Sequence, residues 1–287
     1  MTTSLGSIIT AIVTPFDQQG NVDEGGFVEL LDHLAANGSD GFVICGTTGE
    51  AATLSIEEHL GLIELAVSNR PEGTSIIAGA GSNDTRHAVL MTERSTELGA
   101  DAILSVTPYY NRPNRRGIVA HYEEVVKATD RPIILYNIPS RTGTNLPNEF
   151  LAELAQLDQI EFVKQANPDD VAQVDGLGLY AGNDDMLAEV LDLGGIGGIL
   201  VASHVVGPQM RQMVEQPELR AEIDASLAEI YAALGVTTNP IPVKAALALL
   251  GLPSGPLRLP LVEASPEELA VVATALTNLG LLEGDGR

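Results

Sequence analysis

Eight short apolar runs, separated by longer amphipathic segments, restrict the fold of this chain more than any other feature of its sequence. Alternation of this kind is typical of βα units, whose strands form a parallel sheet and whose helices cover it. Several runs, such as FVIC, AILSV and IILYN, are almost continuously apolar, as expected for strands that are covered on both faces. The predicted strands are 8–14, 41–45, 75–79, 102–107, 132–137, 161–164, 177–181 and 198–203.

The segments between these runs carry helical periodicity and helix start signals. Asp23, Ser55 and Asp84 each precede such a segment at the position of an N-cap residue. The segment after the sixth run is short and has room for only about two helical turns. After the eighth run the pattern is helical only, and Ser265 with Pro266 predicts the start of the last helix.

Eight βα units followed by additional helices predict an α/β fold, a TIM (β/α)8 barrel with a C-terminal helical extension. We place the barrel domain at residues 1–222 and the helical domain at residues 223–287, and we expect the tail EGDGR to fray. A doubly wound parallel sheet is the alternative fold. It is disfavoured because no GxGxxG loop follows a predicted strand.

The composition argues against several classes of protein. The 287 residues include 15 Lys+Arg and 39 Asp+Glu, and the resulting formal charge of −24 would repel nucleic acid. The single cysteine, Cys45, cannot form an internal disulfide, and no CxxC or HExxH spacing suggests a metal site. No apolar run reaches the roughly 20 residues of a membrane span, and the first residues do not resemble a secretion signal. We therefore expect a cytoplasmic, metal-free protein.

In a TIM barrel the reactive groups lie where the strands end and the βα loops begin. Polar residues occupy these positions after five of the predicted strands, and we expect them to surround one site. They are Thr47, Thr48 and Glu50 after strand two, Tyr109 and Tyr110 after strand four, Tyr136 and Arg141 around the end of strand five, Lys164 at the end of strand six, and Gly182 to Asp184 after strand seven.

Of the three lysines in the chain, only Lys164 ends an apolar strand. Lys127 lies in a polar helix, and Lys244 begins a helix beyond the barrel. Burial in the barrel mouth would lower the pKa of Lys164, and the neutral amine could then form a Schiff base with a carbonyl compound. The alternative is that Lys164 pairs with a carboxylate such as Glu50 or Asp184 and only closes the barrel.

The other polar residues at the strand ends also allow two interpretations. Tyr109, Tyr110 and Tyr136 could relay protons beside an imine, or they could be packing residues. Arg141 could bind a carboxylate or form a surface salt bridge. The loop GTTGE could turn backbone N–H groups and hydroxyls toward a small anion, or it could be a plain glycine-rich turn.

Six motifs along the chain carry a family resemblance. They are GTTGEAATL (46–54), SVTPYYNRP (105–113), LYNIPSRTG (135–143), VKQA (163–166), GGIGGILV (194–201) and NPIPVKAAL (239–247). In this order and spacing, from about residue 5 to residue 282, they closely resemble the dihydrodipicolinate synthase family. That family belongs to the N-acetylneuraminate lyase superfamily of pyruvate-dependent class I aldolases.

The resemblance implies a cofactor-free lyase that condenses pyruvate with L-aspartate 4-semialdehyde in lysine and diaminopimelate biosynthesis. Lys164 matches the family's Schiff-base lysine, and Tyr136 matches the tyrosine that donates and accepts protons. Thr47 and Tyr110 match the other members of the hydroxyl relay. In the family this second tyrosine reaches into the neighbouring subunit's site, which implies a homodimer at least and commonly a homotetramer.

The resemblance also assigns substrate-binding positions. Thr48 matches the contact to the pyruvate carboxylate, and Arg141 matches the residue that binds the carboxylate of the semialdehyde. Gly182 and Ile199 match main-chain positions that line the pocket. Arg141 within PSRTG and the run PYYNRP favour the synthase over the other aldolases of the superfamily.

Lysine-inhibited members of the family bind the effector at the dimer interface, and this chain matches that site only in part. His59, Asn83 and Tyr109 are retained. Ile56 supplies no hydrogen bond, however, and His87 lacks the carboxylate that would pair with an ammonium group. We therefore predict weak or absent inhibition by lysine.

Two alternative functions remain open from the sequence. One is another pyruvate-dependent aldolase of the same superfamily, acting on sialic acid or a keto-deoxy sugar acid. The other is a non-catalytic barrel that binds a keto acid. Retention of the lysine, the tyrosines and the threonine together argues against a barrel that only binds, because binding alone requires no proton relay.

Overall fold

The eight strands form a closed parallel barrel in the computed structural model, which describes residues 4–282. Each strand pairs with the next along the chain, and the last pairs with the first. The predicted TIM-barrel fold is therefore confirmed. The strands are β1 Ile8–Ala11, β2 Gly41–Ile44, β3 Ser75–Gly79, β4 Ala102–Val106, β5 Ile133–Asn137, β6 Ile160–Gln165, β7 Gly178–Ala181 and β8 Gly197–Leu200.

Helices surround the barrel and continue beyond its last strand. They are α1 Glu24–Ala36, α2 Ile56–Ser68, α3 Thr85–Glu97, α4 Arg115–Val125, α5 Pro139–Thr142, α6 Asn148–Leu154, α7 Leu187–Asp192, α8 Ser203–Glu215, α9 Arg220–Leu234, α10 Ile241–Leu249 and α11 Pro266–Asn278. Across residues 4–282, none of these helices has both the length and the apolar character of a membrane span.

The predicted helix start signals are confirmed. The side chains of Asp23 and Asp84 accept hydrogen bonds from backbone N–H groups in the first turns of α1 and α3. Ser55 forms a capping box with Glu58 at the start of α2, and Ser265 forms one at the start of α11. Each cap satisfies backbone donors that have no partner inside the helix.

Most predicted strand ends agree with the structure within one residue, and three predictions differ by more. β1 ends at Ala11 instead of residue 14. β8 ends at Leu200, because the next two backbone N–H groups donate to the Asp184 carboxylate and turn the chain into α8. After β6 there is a single 3₁₀ turn, Pro168–Asp170, where up to two helical turns were expected.

The core has two layers. One lies between the strands and the outer helices, and the other fills the barrel interior with residues such as Ile9, Ile77, Ile134 and Phe162. Because side chains alternate along a strand, Phe162 and Lys164 of β6 share the interior while Val163 packs outside. The interior is apolar in its lower part and becomes polar at the carboxyl ends of the strands.

The helices after β8 are packed against the barrel and against each other. α9 contacts α7, α8, α10 and α11, and α10 also contacts α8. The predicted domain boundary between residues 222 and 223 falls inside α9. The tail EGDGR, for which we expected fraying, lies outside the described residues.

Candidate active site

A cavity of about 630 Å³ opens at the carboxyl ends of the barrel strands, and we call it the mouth cavity. Its wall combines strand-end residues with residues of α9 and the turn that follows it. The strand-end residues include Thr47, Thr48, Tyr136, Arg141, Lys164, Gly182 and Asp184, and the later segment contributes Asp224, Tyr231 and Asn239 among others.

Lys164 reaches this cavity from the end of β6 and is almost completely buried, with 5% of its surface exposed. Its register partner on β5 is Tyr136, and the lysine Nζ lies 4.3 Å from the centre of the tyrosine ring. Burial lowers the pKa of Lys164 to about 8, since desolvation disfavours the ammonium ion. About a tenth of this lysine is therefore the neutral, nucleophilic amine at pH 7, far more than for an ordinary lysine.

The structure also tests the alternative that Lys164 pairs with a carboxylate. Glu50 pairs with Lys244, not with Lys164. Asp184 accepts two backbone hydrogen bonds of 2.9 Å, from Val201 and Ala202. Its charge raises the pKa of Lys164, but by less than burial lowers it. Within residues 4–282 the Lys164 ammonium takes part in no ion pair.

Tyr136 presents a hydroxyl that stays protonated over the working range of pH. The residue is 6% exposed, and burial raises its pKa to about 12, while the nearby charge of Arg141 opposes the shift. Its backbone is held in place because Thr107 donates to the Tyr136 carbonyl oxygen from both its N–H group and its hydroxyl. A neutral hydroxyl next to an amine can donate or accept a proton without adding charge to the site.

Thr47 and Thr48 lie in the tight loop between β2 and α2. The residues on either side of the loop, Cys45 and Glu50, have φ angles of 55° and 56°, in the left-handed region that favours glycine. Thr48 is buried, and its hydroxyl accepts a hydrogen bond of 3.0 Å from the Asn239 side chain. Thr47 is exposed within the cavity wall.

Arg141 lies on the short helix α5 at the rim of the mouth cavity. It is exposed, and one guanidinium nitrogen lies 3.5 Å from the Asn239 carbonyl oxygen. Over the part of the chain that the structure describes, Arg141 forms no salt bridge, which argues against the surface ion-pair interpretation. Its charge lowers the pKa of both Lys164 and Tyr136.

Gly182 lines the mouth cavity, whereas Ile199 lies below it. A Cβ atom on Gly182 would come within 2.6 Å of the Gln165 carbonyl oxygen, so no larger residue fits there without a shift of the backbone. Ile199 is fully buried in the barrel interior and is not part of the cavity wall.

Tyr109 and Tyr110 do not reach the mouth cavity of their own chain. Tyr109 is 40% exposed and Tyr110 is 90% exposed. Tyr110 also has a φ of 69°, an uncommon conformation for an aromatic residue. A single chain therefore leaves Tyr110 outside the cavity that holds the other two predicted relay residues, Thr47 and Tyr136.

The residues that match the effector site are partly occupied by contacts of their own. The His59 ring forms a hydrogen bond of 2.8 Å with the Gly79 carbonyl oxygen, and burial lowers the pKa of this histidine to about 4. The backbone carbonyl oxygen of Asn83 accepts a hydrogen bond from the side-chain amide of Asn111. His59 is therefore neutral at physiological pH.

Helix α9 contributes to the site in a way that local sequence patterns do not predict. Asp224 and Tyr231 line the cavity from this helix, and Asn239 follows it in the motif NPIPVKAAL. The motif was a signal that this segment matters, although its place beyond the last strand gave no reason to put it at the barrel mouth.

No cluster of metal-ligating side chains is found in residues 4–282.

Comparison with known proteins gives a consistent result. A model of the dihydrodipicolinate synthetase family matches residues 4–279. A protein of a Cyanothece species named 4-hydroxy-tetrahydrodipicolinate synthase is 41% identical over 293 residues, which cover 98% of this chain and 100% of that protein.

Solved structures show the same similarity. DHDPS from Cyanidioschyzon merolae with lysine bound is 41% identical, with a TM-score of 0.93, and the match covers 97% of this chain and 99% of that one. The chloride-inhibited dihydrodipicolinate synthase from Acinetobacter baumannii, complexed with pyruvate, is 34% identical, with a TM-score of 0.93. The match covers 97% of this chain and 100% of that one.

Proposed function

The chain belongs to the dihydrodipicolinate synthetase family. We propose that this protein condenses pyruvate with L-aspartate 4-semialdehyde, and that Lys164 forms the imine with pyruvate. The activity implied by the motifs is confirmed at the level of the family: the chain is a lyase of lysine and diaminopimelate biosynthesis. One observation carries the role of Lys164. It is a buried lysine without an ion pair in the described chain, beside a protonated tyrosine in the wall of the mouth cavity.

The first half of the reaction takes place at Lys164. The neutral amine attacks the ketone carbon of pyruvate, and loss of water gives the imine. Loss of a proton from the methyl group then gives an enamine, with the imine nitrogen accepting the electron pair. Tyr136 and Thr47 pass protons to and from the reacting atoms, and Thr48 binds the pyruvate carboxylate together with backbone N–H groups of its loop.

The second half joins the two substrates. The enamine carbon attacks the aldehyde carbon of the semialdehyde, whose carboxylate is held by Arg141 at the rim. The amino group of the same substrate then attacks the imine carbon, and the Lys164 amine leaves as the ring closes. No metal or organic cofactor is needed, since the lysine imine accepts the electron pair of the broken C–H bond and the enamine then donates this pair to the new C–C bond. We place the reaction in the cytoplasm, where pyruvate and amino-acid precursors are made and used.

We further propose that Tyr110 completes the proton relay in the site of a second copy of this chain. Its near-complete exposure and its left-handed backbone, which costs roughly 1–2 kcal/mol, fit a side chain that is held by a partner. The minimal active unit is then a homodimer with two equivalent sites, and two dimers would form a homotetramer.

Borohydride reduction in the presence of pyruvate tests this function. The expected product is a 1-carboxyethyl adduct on Lys164 alone, found by intact mass and peptide mapping, and L-aspartate 4-semialdehyde should deplete the adduct while cyclic product forms. Lys164→Ala is the matched control and should give no adduct. An adduct that the semialdehyde leaves intact would point to another aldehyde, and no adduct in folded protein would remove the aldolase function.

A further inference from the structure

An ion pair lies fully buried behind the loop that carries Thr47 and Thr48. The Lys244 ammonium is 2.6 Å from a carboxylate oxygen of Glu50, and the two side chains are only 2% and 1% exposed. The residues are far apart in the sequence: Glu50 ends the loop, and Lys244 belongs to α10. Neither one lines the mouth cavity.

The surroundings of the pair add contacts to both charges, while Glu50 Oε1 faces the Lys244 ammonium without forming an aligned hydrogen bond. Lys244 donates to the Pro256 carbonyl oxygen at 2.9 Å, and the Arg258 backbone N–H donates to Glu50 Oε2 at 3.0 Å. The Phe16 ring faces both cations, with Lys244 Nζ at 4.4 Å and the Arg258 guanidinium carbon at 4.3 Å from its centre. Such contacts are needed because a buried charge without partners is strongly destabilising.

The Arg258 guanidinium extends the same network toward the outer helices. It donates to the Gly20 and Thr53 carbonyl oxygens and pairs with the Glu58 carboxylate of α2. Three parts of the chain therefore meet around the Glu50–Lys244 pair: the segment after β1, the loop after β2, and the segment that contains α10 and Arg258.

The loop needs an external support, since its conformation is not one that its residues prefer. Glu50 has a left-handed φ of 56°, which an L-residue adopts only where its surroundings require it. Two further contacts hold the loop: Thr14 donates to the Gly49 carbonyl oxygen at 2.7 Å, and Asn239 donates to the Thr48 hydroxyl. Both Asn239 and Lys244 come from the segment after α9.

We propose that Glu50 and Lys244 are positioning residues for the condensation, and that their ion pair holds the Thr47 and Thr48 hydroxyls in the geometry that receives pyruvate. This inference rests on the proposed function, because it assumes that Thr48 binds the pyruvate carboxylate. Neither residue touches the substrate. They act through the loop and fix the C-terminal helices to the barrel mouth at the same time.

The alternative is that the ion pair only stabilises the fold. Variants that replace its charged groups with uncharged ones distinguish this alternative from the positioning role. Lys244→Met leaves a buried carboxylate without its cation, so it should lower both stability and pyruvate binding. Glu50→Gln/Lys244→Met removes both charges, and replacing a buried pair with neutral groups of similar size often restores stability. Arg211→Met is the matched control, since it breaks the ion pair between Arg211 and Asp40 at the amino ends of the strands.

The experiment measures KM for each substrate, kcat and the thermal midpoint of the three variants and the unmodified chain. We expect the double variant to recover most of its thermal midpoint while its KM for pyruvate stays about 10- to 100-fold raised, since misplacing a binding group by about 1 Å can cost this much. KM for the semialdehyde should change much less. Arg211→Met should lower the midpoint and leave both KM values unchanged.

Recovery of the pyruvate KM together with stability in the double variant would overturn the positioning role. A pyruvate KM in the double variant equal to that of Arg211→Met would do the same. Failure of the proposed function has a different result, because the unmodified chain would then form no borohydride adduct on Lys164.

Discussion

Tyr136 and Lys164 are direct register partners on adjacent parallel strands, and the lysine ammonium lies 4.3 Å from the centre of the tyrosine ring. The barrel itself fixes this relationship, since both side chains point inward at the last inward-facing position of their strands. An amine and a phenol are thereby held next to each other as buried groups, and burial makes the amine lose its proton more readily than in solution.

Imine formation should depend on pH with an apparent pKa near 8. The pKa of Lys164 lies at about 8 instead of 10.5, and only the neutral amine attacks pyruvate. The initial rate of borohydride trapping should therefore rise about tenfold per pH unit below 8 and level off above it.

Asp184→Asn provides a test of the cause. The Asp184 charge raises the pKa of Lys164, so its removal should move the apparent pKa to a lower value. An unchanged or higher apparent pKa in this variant would contradict the electrostatic argument.

Arg141→Ala should weaken the binding of the semialdehyde more than the binding of pyruvate. Loss of a charged hydrogen bond of about 1.5–3 kcal/mol corresponds to an increase of roughly 10- to 100-fold in KM for the semialdehyde. The measurement belongs at pH 9, where Lys164 is mostly neutral with or without the nearby guanidinium. Arg141→Lys should give an intermediate value, since it keeps the charge but loses the planar fork. Unchanged semialdehyde kinetics would refute this assignment.

Tyr110 can be tested by mixing subunits. Tyr110→Phe and Lys164→Ala should each be nearly inactive alone. If Tyr110 acts in the partner's site, a co-expressed mixture contains heterodimers in which one site has both defects and the other has neither. Random pairing then restores about a quarter of the normal activity. A mixture that stays inactive would place Tyr110 in its own chain's site or outside the relay.

The protein should lose stability as the pH falls from about 6.5 toward 4. His204 is buried, with its Nδ1–H directed at the Val201 carbonyl oxygen and its Nε2 accepting the Val13 N–H, and burial lowers its pKa to about 4. The unfolded chain binds a proton near pH 6.5 and the folded chain does not, so the stability conferred by this group is present above 6.5 and lost below it. The loss reaches about 3 kcal/mol at pH 4.

Urea unfolding at pH 7, 5.5 and 4.5 measures this loss. His59 and His121 also have pKa values of about 4 and add to it in the same direction. His204→Asn should be less stable at pH 7 and less sensitive to acid. A pH dependence equal to that of the unmodified chain would exclude His204 as a contributor.

Inhibition by lysine should be weak or absent. Among the residues that the family resemblance assigns to the effector site, Ile56 supplies no hydrogen bond and His87 no carboxylate. His59 already uses a ring nitrogen for the Gly79 carbonyl oxygen. Initial rates at increasing lysine concentration are the measurement. Half-inhibition at micromolar lysine would contradict the prediction.

Much of the fold and part of the site follow from local sequence patterns. The barrel strands are short apolar runs, and Lys164 and Tyr136 lie at the ends of two of them, so strand order alone puts both at one end of the barrel. The caps at Ser55 and Ser265 depend on residues within one helical turn. Patterns of this range predict elements and the ends of elements well.

The remaining features depend on contacts between distant parts of the chain. Asn239 bonds to Thr48 across 191 residues, and Lys244 takes the place beside Glu50 that the sequence left open for Lys164. Neither contact has a local signal, because each depends on how the C-terminal helices pack onto the finished barrel. Tyr110 is different again, since its surroundings in the proposed dimer come from a second chain.

The wall that α9 and Asn239 add to the mouth cavity also affects how a newly made chain acquires activity. A ribosome completes the strand with Lys164 well before it reaches Asp224, Tyr231 and Asn239. Until these residues dock, one side of the mouth cavity lacks its wall. The mouth cavity is therefore complete only after the residues that follow the barrel strands have been made and packed against it.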